Sequence, residues 1–155
     1  MIKELNFLVV IDDTKEMQNA LRYASKRALR TNGSVVILYT FENIEFAHWQ
    51  AVENIAEEEA RKEAEDKIKE YESEIFSLSS KKPKKFIMKG DRIECIINFL
   101  DANKFISNLI LAASSGPIGP GPLISAFTGK HRTKIKVPLT IIPSNLSKEE
   151  IDNLF

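Results

Sequence analysis

Leu109-Ile110-Leu111-Ala112-Ala113-Ser114-Ser115-Gly116-Pro117-Ile118-Gly119-Pro120-Gly121-Pro122 is the stretch on which the fold turns. An apolar run passes into small residues, glycines and prolines, and helix-like sequence resumes at Leu123. Parallel α/β proteins present backbone N–H groups to a phosphate through such a succession of strand, loop and helix start. A second apolar run near the N-terminus, Phe7-Leu8-Val9-Val10-Ile11, ends in Asp12-Asp13-Thr14. If the two runs are neighbouring strands of one sheet, their C-terminal ends meet and form a site.

The segments around these two runs complete the pattern. Leu5 to Ile11 is nearly continuous apolar sequence, as in a strand covered on both faces. Asp12, Asp13 and Thr14 offer N-cap chemistry, with Asp13 or Thr14 the expected cap, to a helix carrying Met17, Ala20, Leu21, Ala24 and Ala28 at helical spacing. Asn32-Gly33 closes that helix through a left-handed residue, and Ser34 to Phe41 reads as a second buried strand. From about Glu45 to Leu78 a narrow apolar stripe (Val52, Ile55, Ala56, Ala60, Ala64, Ile68, Tyr71 and Ile75) among many charges predicts a long amphipathic helix. Lys85 to Lys89 is a short strand whose lysines suit a sheet edge. Gly90-Asp91 turns the chain into a helix with Ile93, Ile96, Ile97 and Leu100 inward. The fourth strand is Asn108 to Ala113, and a helix from about Leu123 to Lys134 follows the Gly/Pro loop. Pro138 to Ile142 is a fifth strand, with proline at its start where no ladder donor is lost. Ser147-Lys148-Glu149-Glu150 is a capping box for a short terminal helix that would bury Ile151 and Leu154. Strands alternating with helical crossovers imply a parallel sheet wrapped by helices on both faces. The 155 residues make one domain, with a helical tail from about 146 to 155.

Composition narrows the function classes. At 43% hydrophobic and 28% charged residues the chain is globular. Its 22 Lys and Arg cancel its 22 Asp and Glu, which leaves no global field to draw nucleic acid or an anionic membrane. The charge is still uneven, acidic over Glu53 to Glu74 and basic over Lys81 to Lys85 and Lys130 to Lys136. No apolar run approaches the roughly 20 residues of a membrane helix, and Met1-Ile2-Lys3-Glu4 lacks a signal-peptide layout. A single cysteine, Cys95, excludes an intramolecular disulfide and a Cys-based metal cluster. Together these features point to a cytoplasmic protein.

With these residues in place, the chain resembles the universal stress protein family along nearly its whole length. The carriers are Val10-Ile11-Asp12-Asp13-Thr14 with Ala20, Leu21 and Ala24, then Gly90-Asp91-Arg92-Ile93-Glu94-Cys95-Ile96, then Leu109 to Gly116, and finally Pro138-Leu139. Gly119 to Ser125 and the tail Ser144 to Asp152 are similar to a subgroup found in α-proteobacteria. The resemblance implies a five-stranded parallel sheet in order 3-2-1-4-5, with helices on both faces, and homodimers pairing through the last strand, Pro138 to Ile142. It also implies ATP, with its Mg2+, between the first and fourth strands. Asp12 then reaches the adenine, flanked by Asp13 and Thr14, and Thr40 supplies a backbone contact. Two alignments compete for the phosphate motif. Spacing alone selects Gly116, Gly119 and Gly129, with Lys130 in place of Ser or Thr. Anchoring on the fourth strand and Pro138 selects Ala113, Gly116, Ser125 and Ala126, with almost no gaps.

Each candidate carries a plainer alternative. Pro117, Pro120 and Pro122 have no N–H, so loop donors remain at Ser114, Ser115, Gly116, Ile118, Gly119 and Gly121. These could line an anion nest, or the loop could be a rigid crossover shaped for packing. Lys130, His131 and Arg132 either clamp distal phosphates or complement a helix end. Trp49, beside His48, could cover an adenine or pack in a core. Cys95 fits no nucleophile arrangement and reads as a half-buried thiol. The expected function is a non-catalytic adenine-nucleotide-binding regulatory module in stress response. The alternative is a dimeric interaction protein that has lost nucleotide binding, with an unidentified protein partner. Slow phosphoryl chemistry is weakest, because Asp12 and Asp13 are the only carboxylates at hand.

Overall fold

The computed structural model describes residues 3–42 and 50–155. Strand β1 (Asn6–Ile11) leads into α1 (Met17–Thr31), β2 (Ser34–Phe41), α2 (Gln50–Ser79), β3 (Lys84–Lys89), α3 (Arg92–Ala102), β4 (Asn108–Ala112), α4 (Pro122–Thr128), β5 (Leu139–Ile142) and α5 (Lys148–Asp152). The strands form one parallel sheet in the order β3-β2-β1-β4-β5. Alternate residues of the buried strands face opposite ways, so each strand feeds two cores. Val9, Ile11, Ile37 and Ile110 pack with Ala20, Ala24, Ile68 and Ile75 of α1 and α2. Leu8, Val10, Leu38 and Leu109 pack with Ile96, Phe99, Leu123 and Phe127 of α3 and α4. Burial on both faces explains why β1 and β2 read as unbroken apolar runs.

Local chemistry accounts for where the elements stop. Asp13 is not a cap: it is exposed at φ +59° and pairs with Lys67 on α2 at 3.6 Å. The Thr14 hydroxyl instead accepts from the Met17 amide at 3.3 Å, so α1 begins three residues later than Thr14. At its other end Asn32 takes the left-handed conformation, φ 54°. Gly33 is needed for a different reason, since a Cβ there would lie 2.3 Å from the Leu5 carbonyl oxygen. In α2, Ala64, Ile68 and Ile75 are buried as the stripe requires, but Ile55 is exposed. The expected helix start at residues 45–49, His48, Trp49 and the Val52 side chain lie outside the described residues.

Helix α3 is capped by Asp91, whose carboxylate accepts from the Glu94 amide at 3.1 Å. Its buried face is Cys95, Ile96, Phe99 and Leu100, with Ile93 and Ile97 half-buried, so the Cys95 thiol is more enclosed than expected. Burial pushes the Cys95 thiol up, with Asp91 and Glu94 adding to the effect, and it behaves as a small hydrophobe. Helix α4 is much shorter than the expected 123–134. Gly129 leaves helical geometry at φ −116°, ψ −113°, where a Cβ would meet the Ser125 carbonyl oxygen at 2.6 Å. Residues beyond it form turns through bonds such as His131 N–H to the Ala126 carbonyl, 2.8 Å.

The capping box is complete: the Ser147 hydroxyl accepts from the Glu150 amide at 3.1 Å, and Glu150 accepts from the Ser147 amide at 3.2 Å. Ile151 is buried, but Leu154 is exposed and Phe155 packs on Tyr23 instead. Arg22 grips Asp152 with two bonds of 2.8 and 2.7 Å, which docks α5 on α1. The Arg22 guanidinium holds the Asp152 carboxyl below its ordinary value near 3.8, with Lys26 assisting. A depressed folded-state value means that this docking contributes above the unfolded carboxyl's titration and is lost as the pH falls below about 4. Asp152→Asn should therefore speed amide exchange at Ile151 and Phe155 at neutral pH. Unchanged exchange there would show that the ion pair does not hold the tail.

Candidate functional site

The sheet opens where β1 meets β4. Along β2 all six residues of β1 are in register, from Asn6–Ser34 to Ile11–Tyr39. Along β4 the register covers Phe7–Asn108 and Leu8–Leu109 alone. Above those two pairs the strands part, because β1 turns off to α1 on one face and β4 to α4 on the other. The gap is a cavity of about 70 Å³ between Val9, Val10, Ile110 and Leu111, roofed by Pro120 to Leu123.

Four polar side chains line this crevice: Asp12 and Thr14 from the β1–α1 turn, Glu16 just before α1, and Arg92 from the first turn of α3. One Asp12 oxygen accepts from the Thr14 amide at 3.0 Å and from the Thr14 hydroxyl at 2.6 Å. The turn is thereby built as a relay, Asp12 to Thr14 to Met17, and the second Asp12 oxygen has no hydrogen-bond partner among the described residues. Arg92 donates through Nε to the buried Thr40 hydroxyl at 3.3 Å. Neither Asp12 nor Arg92 has an ion-pair partner among the described residues. Thr40, expected to offer a backbone contact, does not itself line the crevice, and its hydroxyl holds Arg92. Reading the sequence missed Arg92, although one signal was present. A cation at a helix N-terminus opposes the macrodipole, so its position calls for another reason.

The Gly/Pro loop folds back on itself. The Ala113 amide bonds to the Ile142 carbonyl at 2.9 Å, the Ser114 amide to the Pro120 carbonyl at 2.9 Å, and the Gly116 amide to the Ser114 hydroxyl at 3.1 Å. Of the six expected donors, Ser115, Ile118, Gly119 and Gly121 keep amides with no partner among the described residues. Ala113 and Ser115 open on the other side of the loop, onto a polar groove of about 470 Å³ beside Lys15 and Ser144 to Lys148. Ser125 and Ala126 lie on α4 itself, Ser125 exposed with its amide bonded to the Gly121 carbonyl, Ala126 buried. Helix α4 carries Lys130, His131 and Arg132 away from the crevice, and none of them lines it. At about 70 Å³ the crevice is well short of the ~300–1,000 Å³ typical of ligand pockets. Among the described residues no group of three His, Cys, Asp or Glu side chains could hold a metal ion.

Residues 5–116 match the model of the universal stress protein family. No curated protein sequence matches the chain. Among solved structures, universal stress protein UspA from Lactobacillus plantarum superposes with a TM-score of 0.73 at 19% identity, over 92% of this chain and 99% of its own. The hypothetical protein MJ0577, the subject of a structure-based assignment of biochemical function, gives 0.75 at 17% identity, over 94% and 100%. A universal stress protein in complex with cAMP gives 0.63 at 10% identity, over 93% and 100%. At these identities the likeness is one of fold.

Gly119 and Gly121 sit at φ +129° and +111°, and a Cβ at either would meet nothing within 4 Å. The demand there is purely conformational, and Gly121 with ψ 159° is in a region essentially reserved for glycine. Gly121→Ala should cost about 1–3 kcal/mol in urea unfolding. An unchanged midpoint would show that the loop is not held in this shape.

Proposed function

Because the chain belongs to the universal stress protein family, we propose that it is a non-catalytic regulatory module that takes an adenine nucleotide in the β1–β4 crevice, behind a loop that must first swing open. The observation that carries this reading is one Asp12 carboxylate oxygen and the Arg92 guanidinium, held through its Nε by Thr40, facing one crevice with no ion-pair partner for either among the described residues. A carboxylate accepts from an amino group or ribose hydroxyls, and a guanidinium donates to ring nitrogens or phosphate oxygens. A crevice kept merely for packing would be apolar, because facing polar groups without partners costs free energy. The complex of a universal stress protein with cAMP lends support to a nucleotide as the ligand class.

The closed loop is a modest obstacle. Its latch is one backbone hydrogen bond, Ser114 to Pro120, with a net worth of about 0.5–1.5 kcal/mol. Residues 115–120 are all exposed, so swinging them aside uncovers little apolar surface, while Leu123 at the inner end of the roof is buried and stays with α4. Opening then lowers the apparent affinity by about two- to tenfold. Any Mg2+ would arrive with the nucleotide's phosphates. The unpaired edge of β5, where Ile141 is exposed, suits a homodimer through that strand. The second reading, an interaction protein without nucleotide binding, is favoured by the engaged amides of Ala113, Ser114 and Gly116.

Thermal unfolding with ATP and magnesium, or with cAMP, separates the two. A nucleotide at a hundred times its Kd should raise Tm by roughly 5–10 °C, and Asp12→Ala and Arg92→Ala should each remove most of the rise. Wild-type protein that melts identically with every adenine nucleotide leaves the interaction protein as the function.

A further inference from the structure

The zero net charge conceals a polar arrangement of charges. Parallel strands with helical crossovers gather the N-terminal ends of the strands and the C-terminal ends of the helices at one edge of the sheet. At that edge the α4–β5 connection contributes Lys130, Arg132, Lys134 and Lys136, all exposed. Arg27 and Arg30 stand at the end of α1, Lys82 in the α2–β3 turn and Lys104 after α3, and they too are exposed. None of these eight has a carboxylate partner among the described residues. The acids of the same connections and helix ends are Glu4, already shared by Lys81 and Lys84 at 3.8 Å, and Asp101. Helix dipoles favour a cation or two at each helix end. They do not account for four in the α4–β5 connection, which is not helical.

Apolar side chains stand among these cations. Leu5, Leu29 and Phe76 are 36%, 49% and 51% exposed, the last two in the final turns of α1 and α2. Lys81 ties those two helix ends together by donating to the Asn32 carbonyl at 2.7 Å. We propose that this edge is a peripheral docking face for anionic lipid bilayers. A broad face lets its cations approach a flat anionic surface together, whereas a duplex cylinder would meet a few of them along a line. A bilayer also gives Leu29 and Phe76 an apolar layer to enter, which phosphate-lined nucleic acid does not. The acidic side chains Asp12, Asp13 and Asp91 lie at the opposite edge and point away from the membrane in this pose. No described helix is long and apolar enough to cross a membrane, so the attachment would be reversible.

Co-sedimentation of the full chain with lipid vesicles tests this directly. Vesicles of phosphatidylcholine mixed with phosphatidylserine should carry the protein down at low salt and release it as salt rises, while pure phosphatidylcholine should leave it in solution. Each cation removed should weaken partitioning about fivefold, so Lys130→Ala/Arg132→Ala/Lys134→Ala together should lose roughly a hundredfold. Phe76→Ser should weaken binding without altering its salt dependence. Circular dichroism melts confirm that these variants fold, and none of them touches the nucleotide crevice. No sedimentation with anionic vesicles, equal binding to neutral ones, an unaffected triple variant, or DNA that displaces the vesicles would each overturn the proposal.

Discussion

Strand β1 is paired along its whole length to β2 but for only two residues to β4, and the site follows from that inequality. Crossovers before β3 pass over one face of the sheet and later ones over the other, so the chain reverses its direction of travel beside β1. Two strands whose continuations leave by opposite faces cannot stay zipped to their ends. All six β1 residues remain buried nonetheless, so the parting opens into a region of low dielectric. That is where a lone carboxylate oxygen and a guanidinium have the greatest effect on a bound molecule.

The loop above the crevice carries two requirements that conflict. Glycines at 119 and 121 permit the positive φ angles of a tight path, while prolines at 117, 120 and 122 stiffen it and remove donors. With fewer amides to offer, the loop still spends two of them internally, Ser114 on the Pro120 carbonyl and Gly116 on the Ser114 hydroxyl. Stiffness lowers the entropy lost when a ligand is held, but the self-bonding must be broken first. Ile118 at the tip is fully exposed, so the loop has no anchor in the core. Its position is set mainly by its own hydrogen bonds.

Strand positions and the long helix were legible because each rests on a pattern many residues long, and the sheet order came with the family resemblance. Features decided by one or two atoms were not legible. Asp13 and Thr14 are equivalent as cap candidates in sequence. The relay that sends Asp13 outward depends on a φ of +59° that no residue type announces. The early end of α4 depends on the Ser125 carbonyl standing where a Cβ at residue 129 would go. Phe155 in place of Leu154 is a choice made by Tyr23, more than 130 residues earlier. Arg92 faces the crevice only because α3 begins beside the ends of β1 and β2. Net charge is a single sum, and the sorting of lysines and arginines to one edge is a property of topology.

The claim that matters most is that the opening between β1 and β4 admits a nucleotide. Titrating ATP into isotope-labelled protein, with amide resonances followed by NMR, addresses it residue by residue. Shifts concentrated at Thr14, Arg92, Ser114 and Gly121, with the Ser114 amide losing the signature of its bond to Pro120, are the expected result. Resonances that stay still around the crevice, or move only at the groove beside Lys15 and Ser147, would contradict it.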